Sequence, residues 1–221
     1  MPIPPPEFRV VVFDLDGTLI DSYAAIHESL NTVLKDFGRE PVSLRAIRGM
    51  VGRGLESLIA SVLPPEDLDA GIELFRDSYA TTGPELTELL PGADRVTRVL
   101  HERDIALFVV SNKPSDFSEQ LLDHLRIGSR FELVLGPDQG FLPKPSPEML
   151  QAVLDDLEED AQHVLYVGDM PLDVESARAA GMPVAVVPTG SASRKELEEA
   201  RPDFLLEKLV DLLELVATPS H

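Results

Sequence analysis

The stretch Val11–Ser22, VVFDLDGTLIDS, ends an apolar run in Asp14 and sets Asp16 two residues further on, directly before Gly17. Asp-Gly is a strong turn signal, so a hairpin is one reading of these residues. A hairpin needs a second strand straight after Gly17, whereas the segment that follows carries helical spacing. The other reading is a reaction centre. Residues two apart on a strand share a face, so both carboxylates would point the same way. Held close, they resist joint ionisation unless a cation or a shared proton intervenes. A second acidic pair stands in VGDMPLD, where Asp169 follows another apolar run and Asp173 falls in the first turn of a helix opened by Pro171. Taken singly, Asp169 is a helix cap and Asp173 a complement to the helix dipole. Taken together, two strands of a parallel sheet each end in an acidic pair on the edge where such sheets bind ligands. Carboxylates gathered there are costly without a hard cation, and a set of oxygen ligands suits Mg²⁺.

Two further segments supply the opposite chemistry. IALFVVSNKP ends a strand in Ser111 and Asn112, followed by Lys113, Pro114 and a helix. Ser111, Ser115 or Asp116 can cap that helix. The same junction also presents a hydroxyl and free backbone N–H groups, which suit an anion. Lys144 lies between prolines in LPKPSPEML, ahead of a helix capped by Ser146. It is either a solvated loop lysine or a fixed positive charge that neutralises a phosphate or a nucleophile.

The elements needed to position these groups are legible as alternating patterns. Apolar runs at 8–13, 105–111, 131–136, 163–169, 183–188 and 203–206 read as buried strands. Helical patterns fall near 92–103, 114–126, 146–157, 172–180, 193–200 and 207–216. Strand alternating with helix argues for a parallel sheet covered on both faces. Residues 20 to about 88 break the alternation: they hold no convincing strand and three helical patterns, at 22–38, 54–63 and 66–82, the first stopped by Gly38. The predicted fold is therefore α/β, a three-layer Rossmann-like parallel-sheet core of residues 1–19 and 89–221 with an all-helical domain, 20–88, inserted after the first strand.

With 221 residues, the chain can bury one core plus a small insert. Lys plus Arg total 19 against 39 Asp plus Glu, a formal charge of -20, which disfavours nucleic acid and anionic membranes as partners. A phosphate-bearing ligand would need local positive charge. The absence of Cys excludes thiol catalysis and disulfides. The proline-rich start, MPIPPPEFRV, does not read as a secretory signal, and no run is long enough to span a bilayer, so a cytoplasmic location is expected.

The order DLDGTL, SNK, KPSPEML and GDMPLD resembles the four signature motifs of the haloacid dehalogenase superfamily, and the helical insert resembles that superfamily's small cap domain. The resemblance covers nearly the whole chain. SNKP, VGRGLESLI and KPSPEML look most like the phosphoglycolate phosphatases and their close relatives. The resemblance implies an Asp14 nucleophile that becomes an aspartyl-phosphate, and an Asp16 acid that protonates the leaving alkoxide and then activates water. It implies Mg²⁺ held by the Asp14 carboxylate, the Asp16 backbone carbonyl and Asp169, with Asp173 in support. It also implies that Ser111 and Lys144 bind the phosphoryl group, with Asn112 nearby. In the insert, Gly52 and Gly54 permit a tight turn from which Arg53 could reach a substrate carboxylate.

The expected activity is Mg²⁺-dependent hydrolysis of a small phosphorylated metabolite, with 2-phosphoglycolate favoured. A β-phosphoglucomutase-like sugar phosphomutase and an inorganic pyrophosphatase share the fold and remain alternatives, and a catalytically silent binding or regulatory relative is the alternative outside enzymes. A metal-free 2-haloacid dehalogenase and a phospho-accepting signalling domain fit less well, because Asp16, Asp169, Asp173 and a full insert are all present. A monomer or a homodimer is expected.

Overall fold

The computed structural model describes residues 8–157 and 159–216; most of the proline-rich start lies outside them. Six strands form one parallel sheet: β1 (Val10–Phe13), β4 (Ala106–Val110), β5 (Leu133–Leu135), β6 (Val164–Gly168), β7 (Val184–Val186) and β8 (Phe204–Leu205), in the spatial order β5-β4-β1-β6-β7-β8. The register aligns Phe13 with Val109 on one side and Val167 on the other, so the chain leaves three neighbouring strands at one edge.

These strands read as unbroken apolar runs because both faces are covered. Val11, Phe13, Val109 and Val167 pack with α5 (Ala93–Glu102) and α6 (Ser115–His124) through Val96, Leu100, Leu121 and Leu122. Val10, Val12, Phe108 and Tyr166 face α7 (Glu148–Leu157), α8 (Pro171–Ala180) and α9 (Arg194–Ala200) through Met149, Val153, Val174 and Leu197. The pattern expected at 207–216 is a 3₁₀ turn at Leu209–Asp211 followed by the short helix α10 (Leu212–Leu215).

Between β1 and α5 stand α1 (Tyr23–Asp36), α2 (Leu44–Arg48), α3 (Leu55–Ala60) and α4 (Leu68–Leu86). Ser29 on α1 meets Thr82 on α4 at 2.7 Å, and Gly71 lies where a Cβ would strike Ile59 at 2.9 Å, so α4 sits close against both α1 and α3. The short α2 was not anticipated, and α4 continues through Pro84 beyond its expected end. The region expected to lack strands carries one at each end. β2 (Ile20–Asp21) and β3 (Glu88–Leu89) pair antiparallel, Ile20 with Leu89 and Asp21 with Glu88. The outgoing and returning chains thus lie side by side.

Candidate active site

The apolar register of β1, β4 and β6 brings Asp14, Ser111 and Asp169 to one edge, each being the first residue after its strand. Asp14 extends the ladder by donating its N–H to Val167 O (2.8 Å), and Ser111 does so to Leu135 O (3.1 Å). Beyond Asp14 the chain turns tightly: the N–H groups of Thr18, Leu19 and Ile20 all donate to Leu15 O. Gly17 adopts φ +88°, and a Cβ there would lie 2.6 Å from Asp169 Oδ2. The turn therefore requires glycine and brings the first acidic loop against Asp169.

The two aspartates of the first loop do not share a cation. Lys144 Nζ donates to Asp14 Oδ1 at 2.7 Å, whereas Lys113 Nζ stands 2.9 Å from Asp16 Oδ2. Two buried lysines thus answer the like-charge problem posed by a pair of carboxylates two residues apart.

Lys144 spends its three donors on Asp14, Asp173 Oδ1 and Tyr166 Oη, each at 2.7 Å. Burial works against its ammonium, but the charges of Asp14 and then Asp173 outweigh that and hold its pKa above the ordinary lysine value. Burial also pushes the Asp14 carboxyl up to about 6, with Lys144 opposing the shift. Asp14 is therefore mostly ionised at neutral pH.

Asp173 holds the second acidic loop together. Its Oδ2 accepts the N–H groups of Asp169 (3.1 Å) and Met170 (2.9 Å), while Oδ1 accepts from Lys144 and from the Tyr166 hydroxyl (3.1 Å). Gly168 and Gly190 give this cluster its room: a Cβ on Gly168 would lie 2.6 Å from Asp173 Cβ, and one on Gly190 would overlap Asp169 Oδ2.

Asp169 is fully buried. Thr18 Oγ1 donates to its Oδ1 at 3.3 Å, and among the described residues its Oδ2 has no partner. Burial, then the charges of Asp173 and Asp14, raise its pKa well above the ordinary carboxyl value. Oxygens of Asp14, Asp169 and Asp173 lie within 4.8 Å of one another. An orphaned buried carboxylate oxygen within an all-oxygen cluster fits a hard divalent cation such as Mg²⁺.

Asn112 is committed to positioning. Its amide donates to Lys144 O (3.0 Å) and Gly52 O (2.9 Å) and accepts Lys144 N–H (2.7 Å). It therefore fixes the lysine loop and ties it to the helical segment. Ser111 Oγ accepts Lys113 N–H at 3.3 Å. Ser22, just before α1, donates its hydroxyl to Asp16 Oδ1, and Asp21 accepts Tyr23 N–H at 3.1 Å. The N–H of Ser115 at the start of α6 is likewise met from another loop, by Asp138 Oδ1 at 2.7 Å.

A cavity spans this edge and the helical segment. Asp14, Asp16, Ser111, Lys113, Lys144 and Asp173 line its floor, and Tyr23, Ile26, Val51, Leu55, Leu58 and Phe75 its roof. Gly52 and Gly54 also line it, but Arg53 between them is exposed and is not among the lining residues. Sequence reasoning missed Thr18, Tyr79, Lys113, Tyr166 and Gly190. Of these, Lys113 and Thr18 were signalled by adjacency to the motifs, and the others had no local signal.

Acidic loops and buried lysines gathered at the carboxyl edge of a parallel sheet, beneath a helical segment, define a class of α/β proteins suited to holding a hard cation and an anion side by side. The sequence model of haloacid dehalogenase-like hydrolases matches residues 11–187, and the chain belongs to that family. It is 33% identical over 221 residues to a phosphoglycolate phosphatase of Vibrio parahaemolyticus, covering 96% of this chain and 97% of that one. It is 33% identical over 208 residues to a phosphoglycolate phosphatase of Aquifex aeolicus, covering 94% and 96%. A solved haloacid dehalogenase-like hydrolase of Streptococcus pneumoniae superposes with a TM-score of 0.85 at 23% identity, over 96% of this chain and 99% of that one, which speaks for the shared fold. Among the described residues, no helix is long and apolar enough to cross a membrane.

Proposed function

We propose that the protein hydrolyses a small-metabolite phosphomonoester through an aspartyl-phosphate, with 2-phosphoglycolate as the favoured substrate. The observation that carries this reading is the separate neutralisation of Asp14 and Asp16, each by its own buried lysine. A carboxylate next to an ammonium can approach an anionic phosphorus, while a second carboxylate two residues on is left for proton transfer.

In this mechanism an oxygen of Asp14 forms a bond to phosphorus as the ester P–O bond breaks. Asp16 enters this step as the carboxylic acid, gives its proton to the departing alkoxide and is left as the carboxylate that pairs with Lys113. Water then attacks phosphorus, Asp16 accepts its proton, and the Asp14–phosphorus bond breaks to release phosphate. Ser111 Oγ holds a phosphoryl oxygen, and the Lys144 ammonium, fixed beside Asp14, offsets the phosphoryl charge. Asn112 positions Lys144 through its backbone, and the roof residues exclude bulk water. Asp14, the Asp16 carbonyl and Asp169 would hold Mg²⁺, and Asp173 would support it by fixing the Asp169 backbone. The ion would supply neutralisation of phosphoryl charge.

The same reading divides the chain into a core of residues 1–19 and 89–221 and a cap of 20–88, and places the enzyme in the cytoplasm with small phosphorylated metabolites. The test is phosphate release from 2-phosphoglycolate, pyrophosphate and β-glucose 1-phosphate, with and without Mg²⁺. Release from 2-phosphoglycolate that requires Mg²⁺ and disappears in Asp14→Asn is expected. Preferred turnover of pyrophosphate, or conversion of the sugar phosphate to its isomer, would replace this reading by a pyrophosphatase or a mutase.

A further inference from the structure

We propose that Lys113, held in place by Tyr79, is a receptor for a carboxylate on the leaving group, so that the site selects phosphomonoesters whose ester carbon bears a carboxylate. This rests on the phosphatase reading above and specifies its substrate class.

The first argument is an inventory of donors. Among the described residues, the cationic side chains lining the cavity are Lys113 and Lys144. Lys144 has all three N–H donors engaged, by Asp14, Asp173 and Tyr166. Lys113 has two partners, Asp16 Oδ2 at 2.9 Å and Tyr79 Oη at 3.0 Å, which leaves one donor uncommitted. Arg53 is exposed and outside the lining.

The second argument is location. Asp16 handles the ester oxygen of the leaving group, and Lys113 is one contact beyond Asp16. A charged group one carbon removed from that oxygen would meet the Lys113 ammonium. The surrounding wall is apolar, formed by Ile26, Leu55, Leu58, Phe75 and Phe117. A carboxylate entering such a chamber without a cation and hydrogen bonds would bear a large desolvation penalty.

The third argument is rigidity. Tyr79 belongs to α4, stacks on Phe75 (5.4 Å between centroids, 13° between planes) and packs against Phe117 (4.9 Å). The Lys113 ammonium lies 4.7 Å from the Tyr79 ring centre and donates to its hydroxyl at 3.0 Å, so a residue of the helical insert fixes the receptor at the sheet edge. A simpler role, in which Lys113 only neutralises Asp16, would affect every substrate alike.

The experiment compares kcat/KM for 2-phosphoglycolate with that for ethyl phosphate, in which a methyl replaces the carboxylate. Wild type, Lys113→Met and Tyr79→Phe are assayed. The ratio of the two values is expected to fall at least about tenfold in Lys113→Met, as the loss of a hydrogen bond between charged groups implies. It should fall less, in the same direction, in Tyr79→Phe, chiefly through KM for the carboxylate substrate. If Lys113→Met is too slow to assay, the Tyr79→Phe ratio decides. A wild-type ratio in both variants, whatever their absolute rates, would overturn the receptor. So would a wild-type enzyme that hydrolyses both esters equally well, and the phosphatase reading would survive that result. Wild type that releases phosphate from no phosphomonoester would overturn both.

Discussion

Replacing Lys144 by Met keeps an unbranched side chain, one heavy atom shorter, and removes one charge and three donors. The loss falls on Asp14 and Asp173, whose side chains are 9% and 1% exposed and each lie 2.7 Å from Nζ. Removing one partner of a buried ion pair costs about 3–5 kcal/mol. Asp14 sets how that cost varies with pH. Burial raises its folded-state pKa from the ordinary 3.8 to about 6. The stability contributed by its neutral form is therefore present at low pH and is lost as pH rises towards 6. Without Lys144 its pKa rises further, and the loss extends to higher pH. Protonation bounds the extra cost from Asp14: at pH 8, two units above 6, the bound is about 3 kcal/mol, and at pH 6 it is well under 1 kcal/mol. A chain of this size loses about 2–4 °C in Tm per kcal/mol. Thermal melts in chelator are therefore expected to show Lys144→Met roughly 6–20 °C below wild type at pH 8, with a smaller gap at pH 6. A gap within about 2 °C at pH 8, or a wider one at pH 6, would refute the reasoning.

At the proposed metal site Mg²⁺ would compete with protons on Asp14 and Asp169, so its affinity should rise with pH. Asp14 alone, titrating near 6, implies about a tenfold gain between pH 5 and 7 by calorimetry, and Asp169 adds in the same direction; a flat profile would contradict this. Gly190→Ala forces Asp169 from its position and should weaken Mg²⁺ activation about 10- to 100-fold, whereas a half-saturating Mg²⁺ concentration within about twofold of wild type would remove Asp169 from the metal site. Arg53→Ala should leave kcat/KM for 2-phosphoglycolate within about threefold, because the side chain is exposed and outside the cavity lining; a tenfold loss would bring it back as a substrate contact.

Residues whose partners are local were readable from the sequence, and those whose partners are distant were not. The six sheet strands were visible because burial on both faces leaves continuous apolar runs, and the edge positions of Asp14, Ser111 and Asp169 followed from where those runs stop. The contact of Ser22 with Asp16 was not readable because Asp16 lies in a turn that folds back on the helix start. Tyr79 looked like one more apolar residue of a helix, since its partner Lys113 is 34 positions away. Gly190 sits in an unremarkable PTGSAS loop, and only the folded chain shows Asp169 against it. The five-residue α2 is too short for periodicity to register.

The β2–β3 pairing has a consequence for how such a chain can diversify. Because Asp21 and Glu88 are neighbours across one antiparallel pair, the core meets everything between them as though it were the loop of a hairpin. Lengthening such a loop costs little entropy, since closure grows only logarithmically with length. A different set of helices could be grafted onto the same two strands without disturbing Asp14, Lys144 or Asp169. Tyr79 and Gly52 are exceptions: they arrive with the insert, yet one accepts from Lys113 and the other from Asn112 at the sheet edge. On the proposed mechanism, an exchange of the insert would therefore leave the phosphorus chemistry with the core and carry part of the preference for one leaving group with the graft.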